Sequence, residues 1–241
     1  FETVIDRRGK DSIAADNIAF NVPISVVKSG FDTIPMWVAD MAFATPSAVT
    51  KAISQRLEHP VFGYFSPSDS YYEAIQNWHE KSHGVTGILR EHIGYENSVL
   101  GGLISAVNCL TSRGGAILLN SPAYIGFTSC LTNNGYKIVL SPLKLDSNGI
   151  YRLDLEDMEA KIKADNIHTA IFCSPHNPCG RVWERREIEA VMELYRKHNV
   201  YVVSDEIWSD IVLFNNKHVT TQSVSDDARN ITIALYAPTK T

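Results

Sequence analysis

From about Ser98 onwards the chain alternates short apolar runs with longer stretches in which apolar residues recur every three or four positions. The runs are Ser98–Leu100, Ala116–Leu119, Lys137–Leu140, Thr169–Cys173, Val200–Ser204 and Ile231–Leu235. Nearly continuous apolar strands are buried on both faces, and their alternation with helices predicts an α/β fold with a largely parallel sheet. Glu184–His198 is the clearest helix, with Ile188, Val191, Met192 and Tyr195 on one face. Pro46–Leu57 and Ser70–Gly84 read as two more. Residues 1–45 hold Pro23 and Pro35 and no long periodicity, which suits an arm and a portion of a smaller domain. Residues 46–241 then form the large domain, with no internal repeat or low-complexity linker.

Composition narrows the function classes. Hydrophobic residues make up 44% and charged residues 20% of the chain, the ordinary balance of a soluble globular protein. The net charge of -5, with no basic run longer than Arg7-Arg8 or Arg185-Arg186, argues against a nucleic-acid partner. No stretch approaches eighteen apolar residues, so no membrane span is expected. No charged start leads into an apolar run, and the expected compartment is the cytoplasm. The cysteines at 109, 130, 173 and 179 form no CxxC pair and no zinc spacing, so no metal site is expected. Cys109 and Cys173 fall in apolar segments and read as buried free thiols. The chain begins at Phe1 and stops one residue past Lys240, so both ends look cut and a longer natural protein is expected.

In open α/β sheets ligands gather at the carboxyl ends of strands. Lys240, in Ala237-Pro238-Thr239-Lys240, follows the last apolar run; taken alone, a lysine after a turn is solvated. Asp205 follows Tyr201-Val202-Val203-Ser204, where a helix cap is the ordinary reading. Asn177 lies in Pro175-His176-Asn177-Pro178, and plain turns also use Asn-Pro. His176 reads as a satisfied loop histidine, and Arg181 as a structural residue bonded to carbonyls. Gly101-Gly102-Leu103 reads as following a strand and opening a helix. Backbone N–H groups unobstructed by a Cβ form an anion site there, although turns use Gly-Gly constantly. Tyr124, in Ser121-Pro122-Ala123-Tyr124, has core packing as its simple explanation. What lifts these residues above the ordinary is their order: an Asn, an Asp and a Lys at successive strand exits, 28 and then 35 residues apart.

That constellation resembles the fold-type I pyridoxal phosphate (PLP) enzymes of the class I/II aminotransferase superfamily. The resemblance implies that the Lys240 amine holds the cofactor and then moves protons as a general base. It implies that Asp205 pairs with the pyridinium nitrogen and Asn177 donates to the phenolate oxygen. Gly101, Gly102 and Leu103 would receive the phosphate, Tyr124 would stack on the ring, and Thr239 would lie beside Lys240 in contact with the cofactor. Glu206, on the alternate face of the chain, has no cofactor role in this reading. Trp208 stands where the superfamily usually has a Tyr or His; an indole offers one donor and more bulk. Tyr64, in Phe62-Gly63-Tyr64, resembles a tyrosine that reaches the phosphate of a neighbouring subunit, which implies a homodimer with shared sites. Met36-Trp37-Val38-Ala39-Asp40-Met41 resembles the entrance segment of the cystathionine β-lyase, or MalY/PatB-like, branch. There the backbone of Val38 and Ala39 would touch the substrate carboxylate.

The fold implied is a PLP-transferase-like large domain over 46–241, with part of a small domain in 1–45 and the rest of that domain beyond the chain. The activity implied is a C–S β-lyase that cleaves cystathionine or cysteine S-conjugates to thiol, pyruvate and ammonia, within amino-acid metabolism. An amino-acid aminotransferase would use the same residues. A non-catalytic PLP-binding regulatory protein is the third reading, and the intact Asn177, Asp205 and Lys240 count against it. The expected partner in each case is a small amino acid, with neither nucleic acid nor membrane.

Overall fold

A computed structural model describes Thr3, residues 5–16, Ile34 and residues 39–240. The chain divides into two compact units: the residues up to Ser66 together with Lys240, and Pro67–Thr239.

The first unit contains α1 (Ile13–Asp16) and α2 (Ser47–Leu57). The Asp16 carboxylate holds the approach to α1 by accepting from the N–H groups of Gly9 and Ser12 at 2.8 and 2.9 Å. Helix α2 starts after Pro46, whose φ of -51° suits a helix entry. None of its residues is buried, and Val49, Ile53 and Leu57 line one exposed stripe at helical spacing. Arg56 folds back over the Phe62 ring and donates to the carbonyls of His59 and Val61, tying down the segment that leads to Tyr64.

The second unit opens with α3 (Asp69–His83). Ser68 caps its start by accepting from Tyr71 N–H, and Gly84 ends it in the left-handed region at φ 66°. The elements α4 (Val99–Leu110), β1 (Ala116–Ser121), α5 (Ile125–Asn133) and β2 (Lys137–Pro142) follow. A small hairpin of β3 (Lys144–Leu145) and β4 (Tyr151–Arg152) leads to α6 (Leu155–Ala164), β5 (Thr169–Cys173) and α7 (Arg185–Lys197). The unit ends with β6 (Tyr201–Asp205), α8 (Asp226–Ile231) and β7 (Thr232–Leu235). Five strands form one sheet in the order β2-β1-β5-β6-β7. Every pairing in that sheet is parallel, as the apolar runs predict.

Strand side chains alternate between two cores. Leu118, Ala170, Phe172 and Val202 pack with Met158 and Ile162 of α6, with Ala228 of α8, and with the α7 face Ile188, Val191, Met192 and Tyr195. Ile117, Leu119, Ile171, Cys173 and Val203 pack with Leu103 and Val107 of α4 and Phe127 and Leu131 of α5. The strands are therefore buried on both faces because helices cover each. Cys173, Asp205 and Leu235 are direct neighbours across β5, β6 and β7, so these three strands end level.

Two expectations fail here. Ser98–Leu100 is the start of α4 and not a strand: Ser98 is the N-cap, and its Oγ accepts from Gly101 N–H at 3.0 Å. The apolar residues after it continue at helical spacing, which a three-residue run could not reveal. Cys109 is exposed, because α4 buries Leu103, Ala106 and Val107 and a residue two positions further on faces away. Cys173 is buried as expected, and burial pushes its thiol far above the usual range.

Tyr195 supplies a stability test. It is fully buried, and its hydroxyl finds no hydrogen-bond partner among the described residues. Tyr195→Phe is expected to raise the melting temperature by an amount equivalent to about 1 kcal/mol, since a buried unpaired hydroxyl costs desolvation without return. A lower melting temperature would show that this hydroxyl is bonded in solution.

Candidate active site

The carboxyl ends of β1, β5 and β6 carry the chemistry-bearing residues of the second unit. The loop after β5 is shaped by cis peptides at Ser174-Pro175 and Asn177-Pro178. Ser174 N–H donates to the Asp205 carbonyl, and Asn177 N–H donates to Cys173 Sγ at 3.3 Å. Asn177 is half-buried, and its side-chain amide has no hydrogen bond to another described residue. The loop closes through a bridge between His176 and Arg181.

Arg181 donates to the carbonyls of Tyr151 and Val182 and pairs with Glu187, the structural role expected of it. His176 departs from expectation. Its ring packs edge-on against Trp183, and its buried Nδ1 has no partner among the described residues. Burial pulls its pKa down to about 4, so it is uncharged at neutral pH. Trp183, which sequence reading passed over, anchors the loop from below by donating to the Cys173 carbonyl at 2.9 Å and stacking on Phe172.

Asp205 ends β6. It is 5% exposed, and among the described residues its carboxylate takes one hydrogen bond, from Ile207 N–H to Oδ1 at 3.1 Å. Burial, with the Glu206 charge adding to it, raises its pKa to about 6. No cation pairs with it among the described residues, so a buried carboxylate is left without a counter-charge.

Glu206 points the other way and is satisfied by the protein itself. Burial drives its pKa up, but His218 Nε2 at 2.9 Å, Thr221 N–H and Ser204 Oγ reverse this and hold it below the ordinary value. Two adjacent acids thus differ: one is held by three hydrogen-bonding groups of the protein, the other accepts a single N–H. His218 was not found from the sequence, because its pairing with Glu206 is a tertiary contact with no local pattern.

Tyr124 is the N-cap residue of α5, about one-third exposed, and its ring meets Phe127 edge-on at 5.3 Å. A Cβ on Gly126 would overlap that ring, so the glycine is what lets the ring fold over the helix start. Gly101 and Gly102 do not open a helix after a strand: they sit inside the first turn of α4. Gly101 N–H is taken by Ser98 Oγ and Gly102 N–H by the Ser98 carbonyl. A Cβ on Gly102 would press on Leu235 at 3.2 Å, so this glycine also serves the packing of α4 on β7. Leu103 is fully buried in the core.

Trp208 lies in the turn after β6, where Ile211 N–H donates to its carbonyl. Thr239 is exposed in the short 3-10 turn Pro238–Lys240. In the first unit, Lys240 Nζ donates to the Ala39 carbonyl at 2.8 Å, which joins two of the expected site residues. Tyr64 is fully exposed. Met36, Trp37 and Val38 lie outside the described residues.

A hollow of about 680 Å³ lies at the opposite end of the sheet, among residues such as Thr111, Lys137, His168 and Tyr201 at the strand starts. The chemistry sits at the other end, where a void of about 10 Å³ touches Asn120, Cys173, His176 and Asn177. Among the described residues no group of His, Cys, Asp and Glu could hold a metal ion. No described helix is long and apolar enough to cross a membrane.

At the level ends of this parallel sheet a buried acid without a counter-charge, Asp205, thus stands near the loop that carries the Asn177 amide. The chain belongs to the class I and II aminotransferase family, whose model matches residues 32–237. It is 39% identical over 210 residues to cystathionine β-lyase PatB of Bacillus subtilis, covering 87% of this chain and 54% of that protein. It is 29% identical over 226 residues to protein MalY of Escherichia coli, covering 93% of this chain and 56% of that one. The solved PLP-bound C-S lyase of Staphylococcus hominis superposes with a TM-score of 0.89 at 31% identity, over 100% of this chain and 61% of that one. The chain thus spans a little over half the length of these curated relatives.

Proposed function

We propose that the protein carrying this chain is a PLP-dependent C–S β-lyase that cleaves cystathionine or a cysteine S-conjugate to a thiol, pyruvate and ammonia. The observation that carries the reading is Asp205, a buried carboxylate awaiting a positive partner at the end of β6. Similarity to PatB and to the S. hominis lyase supports the choice of reaction.

PLP, when bound, supplies an electron sink for charge developing on the substrate Cα. Asp205 would hold the ring nitrogen in its protonated form, because a cation in contact favours the ionised carboxylate and the protonated ring together. The Asn177 amide would donate to the phenolate oxygen, with the Trp208 indole beside it. Tyr124 would cover one ring face. The start of α4 at Gly101, Gly102 and Leu103 would receive the phosphate, with the Ser98 hydroxyl giving up Gly101 N–H in exchange. Thr239 and Lys240 complete the cofactor set. Lys240 Nζ would anchor the cofactor covalently and, once released by substrate, take the proton from Cα. The Cβ–S bond then breaks with the electron pair leaving on sulfur. The three-carbon remainder takes up water to give pyruvate and ammonia. Val38 and Ala39 would meet the substrate carboxylate through their backbone.

We place Tyr64 across the interface of a homodimer, on the partner's phosphate, which suits its full exposure and the bare apolar stripe of α2. Residues 1–45 are assigned to the arm and small-domain portion and 46–241 to the cofactor-binding large domain, with the cytoplasm as the compartment. The full-length protein should release pyruvate, ammonia and thiol from cystathionine in equal amounts, with no keto acid added. A coupled pyruvate assay with thiol detection measures this. Faster turnover of alanine or aspartate with a keto acid would make the protein an aminotransferase instead. Loss of both activities in PLP-loaded protein would leave a regulatory binder.

A further inference from the structure

Behind the Asp205 turn lies a second polar cluster with no part in the chemistry above. Asp210, five residues after Asp205, has a side chain only 8% exposed. Its carboxylate gathers donors from two other elements. Trp78 Nε1 of α3 donates to both oxygens, at 3.2 and 3.3 Å, and Tyr236 Oη donates to Oδ2 at 2.5 Å. His83 Nε2 of α3 lies 3.1 Å from Oδ1, at ion-pair distance but without hydrogen-bond alignment.

Tyr236 comes directly after β7 and four residues before Lys240, while Asp210 closes the turn that begins with Asp205 and includes Trp208. The backbone also ties these exits, through Glu206 N–H to the Leu235 carbonyl at 2.9 Å. The groups facing Asp210 are His79 and His83 from α3, Tyr236 from the β7 exit, and the His218–Glu206 pair, whose imidazole packs edge-on against His83 at 5.5 Å. Burial lowers the pKa of both α3 histidines. Asp210 therefore meets neutral donors and works as a geometric tie more than as half of a salt bridge.

We propose that Asp210 is a positioning residue: its carboxylate locks the exit of β6, bearing Asp205 and Trp208, to the exit of β7, which leads to Lys240. The proposal rests on the PLP reading and deepens it. Its value to the site is that the β6 exit, which bears the acid proposed to face the ring nitrogen, keeps a fixed place beside the β7 exit.

The test uses the full-length protein as Asp210→Asn, Tyr236→Phe and the double variant. Asparagine keeps the shape but removes the charge and turns one of the two acceptor oxygens into an NH2 donor, so at least one of the present bonds from Trp78 and Tyr236 is lost. Each single variant is expected to weaken PLP binding, titrated into apoprotein, by about tenfold. Each is also expected to shift the pH midpoint of the bound cofactor's near-visible absorbance, a signal that a loss of stability alone leaves in place. The double variant should be no worse than Asp210→Asn alone, because the two residues act through one bond. Wild-type affinity and midpoint in both single variants, or fully additive losses in the double, would overturn the proposal. If Asp210→Asn does not fold, Tyr236→Phe decides, and a wild-type midpoint there rejects it. Wild-type protein that forms no borohydride-reducible adduct with PLP would overturn the parent reading instead.

Discussion

Lys240→Ala protein, loaded with PLP and treated with borohydride, is expected to retain no covalent cofactor, whereas the wild type should carry about one per chain. The amine is the one nucleophile in the proposed site that can bond the cofactor's aldehyde carbon and later accept the Cα proton. Its loss should remove the near-visible absorbance of lysine-bound PLP. Turnover should fall by several orders of magnitude, because anchor and base disappear together. Non-covalent binding should persist in weakened form, since Asp205 and Asn177 remain. Mass spectrometry of the reduced protein measures the result directly. A reducible adduct surviving in the variant would show that another lysine holds the cofactor.

Asp205→Asn should move stability and activity in opposite directions. The folded-state pKa of about 6 stands above the ordinary 3.8, so between those values the folded apoprotein holds more protons than the unfolded chain. Stability therefore falls as pH rises from about 4 to about 6, by on the order of 3 kcal/mol at most, and stays lost at neutral pH. Asparagine removes that loss, so apo Asp205→Asn should melt higher than apo wild type at pH 7 and show a flatter pH dependence. The holoprotein should lose a factor of about 10² or more in rate, because the charge that keeps the ring nitrogen protonated is gone. Apo melting curves between pH 4 and 8, paired with rates for the loaded protein, test both halves. A variant less stable than the apo wild type at pH 7, or one with undiminished rate, would show that Asp205 already has a partner.

The parts of the fold that were legible in the sequence are those written in local periodicity. The α7 face of Ile188, Val191, Met192 and Tyr195 is buried as its spacing predicts, and five of the six apolar runs contain strands of the parallel sheet. Ser98–Leu100 misled because three apolar residues fit either element, and the Ser98 cap that decides the matter depends on backbone geometry. Asn177 and Asp205 stood out in the sequence by their spacing; in the fold Asp205 ends β6 and Asn177 lies in the loop after β5. What the pattern could not show was the electrostatic contrast between Asp205 and Glu206, which depends on His218, twelve residues further along. The Asp210 tie was equally hidden: Trp78 and Asp210 are 132 residues apart, and no local rule links a helix tryptophan to a turn acid.

Cys173, Asp205 and Leu235 are paired across three parallel strands. That alignment gives the loops behind them a common datum line. A loop of new length or content can grow from any of the three without moving the origin of the other two, so geometry is held by the sheet and novelty is confined to the loops. An inserted residue inside a strand would be different in kind. It would shift one origin by about 3.3 Å and turn every later side chain of that strand to the opposite layer of helices. Changes of substrate are therefore cheap to explore beyond the datum line and prohibitive within it.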